Sequence, residues 1–217
     1  MNLKNKRILI TAGPTSVPID TVRVISNVST GETGILLAER LQGAGAKVTL
    51  LLGLAGFCYS NKNIRIIRFK FFDDLKNLVE KELGHKHYDI LIHCAAVSDY
   101  KPKGCRNKKI ESGIKQWSIT LTPTPKIIDS IKKIDSSLFL VGFKFEPRSS
   151  GTGLINKARA LMRHSRADLV VANTSCRGRY NAYIVNQNKV SGLICSKSTL
   201  VKTLIKEIQK NLCRTPD

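Results

Sequence analysis

A three-residue apolar run, Ile8, Leu9 and Ile10, stops at Thr11-Ala12-Gly13-Pro14, and no helical period begins until about Gly31. A short apolar run closed by a Gly-Pro turn is the pattern of a strand buried on both faces. The period that follows carries Ile35, Leu36, Leu37, Ala38 and Leu41 over residues 31–44, and a second apolar run fills 47–52 before Gly53. Strand, helix and strand in that order predict a βαβ unit opening a Rossmann-like, doubly wound, mainly parallel α/β sheet flanked by helices. The link from strand to helix is much longer than an ordinary βα loop. Such sheets bind ligands on loops at the carboxyl ends of their strands. The last part of the link, Ser26-Asn27-Val28-Ser29-Thr30-Gly31, is polar and enters a helix N-terminus, whose free N–H groups and positive dipole end suit an anion. A plain N-cap at Ser29 or Thr30 with a close-packing Gly31 would look the same. Gly13 is too far upstream of Gly31 and Gly34 for a G-x-G-x-x-G fingerprint.

The alternation continues along the chain. Residues 63–67 read as a third strand, and 73–84 as an amphipathic helix capped by Asp73. Residues 88–94 form a fourth strand, ended by Ala95-Ala96-Val97-Ser98-Asp99-Tyr100. Two small residues there let a ligand approach the backbone, and Asp99 is placed for a ribose hydroxyl, a metal or a plain turn. Residues 101–116 are basic and aperiodic, either solvated surface or a lid that closes cations over phosphates. A short strand at 119–121 precedes a helix with Pro125 in its first turn, running to about 133. Strands at 138–146 and 168–173 bracket a helix at 154–166. After a loop at 174–181, a hairpin of 182–186 and 189–195 turns at Gln187-Asn188, and Ser198 caps a helix to about 212. Together these predict one domain over residues 1–217, with a C-terminal β-hairpin and helix.

The 217 residues carry a net charge of +20, which invites a nucleic-acid reading. The lysines and arginines are scattered, however, and no zinc-finger spacing, RNA-binding motif or aromatic–basic interleaving accompanies them. A cationic surface serving anionic small substrates is the better account, with no nucleic-acid partner expected. The six cysteines include no C-x-x-C pair; Cys94 and Cys195 fall in apolar runs and read as buried hydrophobes. The basic N-terminus leads straight into the first short strand, and no run approaches membrane-spanning length. A cytoplasmic protein without a membrane partner is expected. His93, on an apolar strand, reads as core; His85, His87 and His164 read as surface. An NAD(P) reductase would also explain the opening βα unit, but neither the glycine fingerprint nor a Tyr-x-x-x-Lys pair is present.

The string Ile25-Ser26-Asn27-x-Ser29-x-Gly31-x-x-Gly34 follows Pro18-Ile19-Asp20-x-Val22-Arg23. Further on come Ala95-Ala96-Val97-x-Asp99-Tyr100, Thr124-Pro125-x-Ile127-Ile128 and Val141-Gly142-Phe143-x-x-Glu146. In this order they resemble the phosphopantothenate–cysteine ligase family over residues 7–210. The match is to its monofunctional form, without the flavin-dependent decarboxylase domain.

That resemblance implies a ligase of coenzyme A biosynthesis that joins 4′-phosphopantothenate to L-cysteine. The carboxylate would first be attached to a nucleotide with loss of pyrophosphate; the cysteine amine would then displace the nucleoside monophosphate. CTP is the expected cosubstrate, as in the bacterial branch, with an ATP-using version as the alternative, and Mg²⁺ on the phosphates. No flavin is expected, a separate decarboxylase would supply the pathway, and the ligase would be a homodimer with shared active sites. Asn27 and Lys109 would be catalytic, Asn27 at the acyl carbonyl and Lys109 at phosphorus; the register against Lys108 stays open. Arg23, Ser29 and Gly31 would bind phosphopantothenate. Gly13, Ala95, Ala96, Val97, Asp99, Pro125, Ile127 and Phe143 would line the nucleotide site, with Phe143 on the cytosine. Leu161 and Ser165 stand where the family often sets triphosphate-binding lysines, and Glu32 where it often has a basic or neutral residue. Lys126 replaces an Asp of bifunctional relatives.

Overall fold

The computed structural model describes residues 3–54, 59–104, 107–149, 151–176 and 178–213. Cys58, Cys105 and Arg106, the latter two in the basic stretch, therefore lie outside the described residues. The first strand, β1 (Arg7–Ala12), leads into a small antiparallel hairpin, β2 (Ser16–Pro18) and β3 (Val24–Ser26), then α1 (Glu32–Gly43), β4 (Lys47–Gly53) and β5 (Arg65–Phe69). Next come α2 (Phe72–His85), β6 (Ile90–His93), β7 (Tyr100–Pro102), β8 (Leu121–Pro123), α3 (Ile127–Ile134) and β9 (Phe139–Phe145). The chain ends with α4 (Gly151–Ser165), β10 (Leu169–Cys176), β11 (Arg179–Val185) and α5 (Lys197–Leu212).

Seven strands form one sheet in the order β11-β10-β9-β6-β1-β4-β5, parallel throughout except for β11 against β10. The expected doubly wound sheet is present. The period of two sends Ile8 and Ile10 to one face and Leu9 to the other. On the first face α1 and α5 bury Ile35, Leu41, Leu200 and Leu204; on the second, α2, α3 and α4 bury Leu75, Ile131 and Leu154. Helix α1 lies very close to β1: a Cβ on Gly34 would sit 2.3 Å from the Ala12 Cβ.

Several local expectations are corrected. The third strand is displaced to Arg65–Phe69, since its register sets Phe69 beside Gly53 with the ring buried. Helix α2 starts one residue early to bury Phe72, so Asp74 rather than Asp73 reaches back, accepting from the Phe71 N–H at 2.8 Å. Pro125 lies just before the Lys126 N-cap of α3 instead of in its first turn. The strand read at 119–121 is Leu121–Pro123, paired with Tyr100–Pro102 out of the basic stretch. Residues 174–181 are largely paired, because β10 runs on to Cys176 and β11 begins at Arg179. Residues 189–195 make only single bridges, Val185 to Val190 and Ala182 to Ile194. Ser196, not Ser198, caps α5, its Oγ accepting from Thr199 N–H at 3.1 Å. Cys195 is exposed.

Candidate functional site

The strand order reverses between β1 and β6, the neighbours at the centre of the sheet, and the segments leaving their carboxyl ends run on together. Ala96 N–H donates to the Gly13 carbonyl at 2.9 Å, and Thr15 N–H donates to the Ala96 carbonyl at 3.1 Å. The Thr15 and Ser98 side chains bond each other at 3.0 Å beneath them. Asn27 closes the arrangement, its Nδ2 donating to the Ala96 carbonyl at 2.9 Å. Gly31, in a left-handed conformation at φ 73°, turns the chain into α1; a Cβ there would meet the Gly13 nitrogen at 3.2 Å. The N-cap Gly31 has no side chain to offer, although Thr30 Oγ1 accepts weakly from Glu32 N–H at 3.4 Å.

A cleft of about 1060 Å³ opens at this switch point and extends across the carboxyl ends of β9 and β10. Ligand sites commonly span ~300–1,000 Å³, so this one has room for a nucleotide with a second substrate. Ser29, Gly31, Ala95, Ala96, Val97, Asp99, Pro125, Ile127 and Phe143 all line it. Gly13 and Asn27 do not themselves line it; Asn27 reaches it through its bond to the lining residue Ala96, and Gly13 lies against Gly31. Arg23 and Lys109 are not among the lining residues.

Arg23 belongs to a second cluster, built on Asp20, which Lys109 adjoins through Ile110. The Asp20 carboxylate accepts from Val22 N–H, Arg23 N–H and Ile110 N–H and pairs with the Arg23 guanidinium at 2.7 Å. Burial alone would raise the Asp20 pKa, but these hydrogen bonds hold it down at about 2. Arg23 also donates to the Ile110 carbonyl at 3.2 Å and stacks over Trp117 at 5.5 Å. The residue after Lys109 is thereby tied to the first loop.

Besides Glu32, Asp99, Lys126 and Glu146, which the sequence already marked, the cleft contains charged and polar groups that pattern reasoning did not single out. Its lysines come in pairs with carboxylates: Lys126 with Asp99 at 2.5 Å, Lys144 and Lys157 with Glu146 at 2.9 and 2.6 Å, and Lys197 with Glu32; His164 Nε2 lies 2.9 Å from Asp129 Oδ2. Leu161 lines the cleft, whereas Ser165 is buried and donates to the Leu161 carbonyl at 2.7 Å. Among the described residues, four buried side-chain polar atoms have no hydrogen-bond partner: Asp129 Oδ1, Asn173 Oδ1, Thr174 Oγ1 and the Tyr180 hydroxyl. Three of those residues line the cleft. Buried polar atoms are rarely left unpaired, so their concentration here points to a polar ligand. The only sequence signal was that β10 ends in small and polar residues.

His93 is buried, bonded through Nδ1 to Thr11 Oγ1 at 2.9 Å, and burial lowers its pKa to about 4. Burial pushes the neighbouring Cys94 thiol up to about 12. Neither is equipped for acid–base or nucleophilic work near neutrality. His85, His87 and His164 are exposed, as expected, although His164 also borders the cleft. No group of three or more His, Cys, Asp or Glu among the described residues could hold a metal ion. None of the described helices is long and apolar enough to cross a membrane.

The model of the DNA/pantothenate metabolism flavoprotein C-terminal domain matches residues 3–213. A coenzyme A biosynthesis bifunctional protein CoaBC from Thermococcus kodakarensis is 40% identical over 173 residues, covering 80% of this chain and 42% of that protein. The chain spans about half the length of the curated relatives it matches. The crystal structure of the DNA/pantothenate metabolism flavoprotein from Streptococcus pneumoniae superposes with a TM-score of 0.85 at 29% identity, covering 95% of this chain and 99% of that one. A Cab2 mutant in complex with phosphopantothenate-cysteine superposes at 0.80 over 97% of this chain and 88% of its own; at 18% identity it bears on the fold alone.

Proposed function

The chain belongs to the DNA/pantothenate metabolism flavoprotein C-terminal domain family, and from that premise we propose that it joins 4′-phosphopantothenate to L-cysteine through an acyl-nucleotide intermediate, with CTP as the nucleotide. The observation that carries this is the convergence of Ser29, Gly31, Ala95, Ala96, Val97, Asp99, Pro125, Ile127 and Phe143 on one cleft at the strand-order reversal, with Asn27 at its rim. These residues were assigned from separate stretches of sequence.

A carboxylate is a poor acyl donor, so the chemistry first needs an attack on the nucleotide α-phosphate and then attack by an amine on the acyl carbon. Both steps develop negative charge on oxygen, which preorganised donors stabilise. Asn27 Nδ2 commits one hydrogen to the Ala96 carbonyl. The second is available to an acyl oxyanion, with no proton transferred. The start of α1, with glycine at its N-cap, offers amides and a positive dipole end to phosphate oxygens. Lys144 and Lys157, both on the cleft and both turned to Glu146, supply cations near the position where Leu161 has none. The donor set suits Mg²⁺ carried by nucleotide phosphates with its own waters: among the described residues Asp129 Oδ1 is the single buried, unpaired carboxylate oxygen on the cleft. Bound there, Mg²⁺ would neutralise phosphate charge.

Arg23 and Lys109 enter this reading through a second copy of the chain. Val22 and Trp117, in the Asp20 cluster, expose 65% and 37% of their surface, and Val28 in the same loop and Ile114 beyond Ile110 are exposed as well. Apolar exposure of that extent supports a homodimer whose loops complete each other's clefts. Sedimentation equilibrium giving only monomer would remove this part.

The function is tested by pyrophosphate release with phosphopantothenate and Mg²⁺, comparing CTP with ATP and adding or omitting cysteine. CTP-dependent release that turns over only with cysteine is the expected result. ATP in place of CTP would correct the nucleotide, and no release with either would overturn the ligase reading.

A further inference from the structure

Glu32 and Lys197 are 165 residues apart in sequence, yet they form an ion pair on the cleft wall. Each occupies the first position of a helix, Glu32 on α1 and Lys197 on α5. Glu32 complements the α1 dipole and needs no further explanation. Lys197 does not. A cation at a helix start opposes the dipole, and α5 has no acidic residue in its first turn to offset it. The Ser196 cap fixes that end of α5, so the lysine is presented to the cleft by a rigid element.

Beside the pair lies unused hydrogen-bonding capacity. The β10–β11 register sets Ser175 opposite Tyr180 and Asn173 opposite Ala182, whose side chain packs in the core beneath α1 and α5. Asn173, Ser175 and Tyr180 therefore share the sheet face of Glu32 and Lys197. The Asn173 Oδ1 and the Tyr180 hydroxyl are buried without a partner. This corner of the cleft thus presents one carboxylate, one ammonium and two unpaired polar groups. The ion pairs of Lys126 and Lys157, and the His164–Asp129 contact, are built on α3, α4 and the adjoining loops, against the opposite face.

We propose that Glu32, Lys197, Asn173 and Tyr180 form the subsite for the amino-acid substrate, a zwitterionic α-amino acid. Its ammonium exchanges onto the Glu32 carboxylate, which takes the proton the nitrogen must lose before it attacks, and its α-carboxylate exchanges onto the Lys197 ammonium, so the internal ion pair is replaced charge for charge on binding. Asn173 and Tyr180 take the remaining hydrogen bonds. The proposal rests on the ligase reading, in which the amino acid is needed only for the second half-reaction.

That division supplies the test. Pyrophosphate released in a single turnover without cysteine reports acyl-nucleotide formation; steady-state release with cysteine titrated reports capture by the amine. Glu32→Gln and Lys197→Gln are expected to raise the KM for cysteine at least tenfold, with the single-turnover burst as the internal control for folding. Lys197→Gln is further expected not to raise the KM for cysteamine, which has no α-carboxylate and no longer has to displace the lysine from Glu32. An unchanged KM for cysteine in both variants, or equal loss of the burst, overturns the subsite. Wild-type protein that gives no burst with any nucleotide overturns the ligase reading instead.

Discussion

The side-chain amide of Asn27 donates to the main-chain carbonyl of Ala96 at 2.9 Å, joining the loop after the first hairpin to the segment that leaves β6. The two residues are 69 positions apart. The contact gives Asn27 one fixed orientation at the cleft rim, which an oxyanion donor requires.

Asn27→Ala is expected to lower kcat by roughly 10²–10³, the usual cost of one oxyanion donor. Quenched-flow analysis should then find acyl nucleotide accumulating. A kcat within twofold of wild type would remove Asn27 from the chemistry.

The Asp20 carboxylate holds Ile110 and Arg23 together, so Asp20→Asn should release the segment around Lys109 from the first loop. Faster hydrogen exchange at Ile110 and a raised KM for phosphopantothenate are the expected outcomes. Unaltered exchange there would show that the packing of Trp117 suffices.

Nucleotide binding should depend on the cations present in place of the absent lysines. Lys157→Ala is expected to raise the KM for the nucleotide about tenfold, equivalent to ~1.4 kcal/mol. Leu161→Lys should lower it. Equal KM values in all three proteins would assign the triphosphate elsewhere.

Far from the cleft, Glu82 is buried among Arg65, Lys86 and Tyr88, with the Arg65 pair at 2.6 Å and the Tyr88 hydroxyl at 2.5 Å. Burial alone would raise its pKa; the hydrogen bonds from Arg65, Tyr88 and Lys86 outweigh it and hold the value at about 2, against 4.5 for a free glutamate. The folded value is the lower one, so this stabilisation is fully present above pH 4.5 and is lost as the pH falls toward 2. Denaturant titrations of Glu82→Gln should show a flatter loss of stability across that window. Glu82→Ala, which leaves the buried Tyr88 hydroxyl and the half-exposed Arg65 without their acceptor, should cost roughly 1–3 kcal/mol at neutral pH. An acid limb as steep as that of wild type would refute the assignment.

The order of elements and the place of the site were legible in residues near one another in the chain. The apolar run at Ile8 and the spacing of Ile35, Ala38 and Leu41 specify a buried strand and an amphipathic helix through local periodicity alone. Asn27, Ala95 and Ala96 mark strand ends because turns and small residues interrupt those periods. What failed were boundaries and partners. Phe72 draws α2 one residue earlier because burying its ring outweighs the cap at Asp73, and pairing with β10 extends structure into residues 174–181. Whether Cys195 is buried, and that Lys197 faces Glu32, depend on how α5 returns to the sheet, which no local pattern encodes. Periodicity is a property of neighbours in sequence, and so the chain alone determined its α/β layers and the loops that bear the site. Charge pairing, unpaired polar atoms and the distance of Arg23 from the cleft arise between distant segments, and only the tertiary packing decided them.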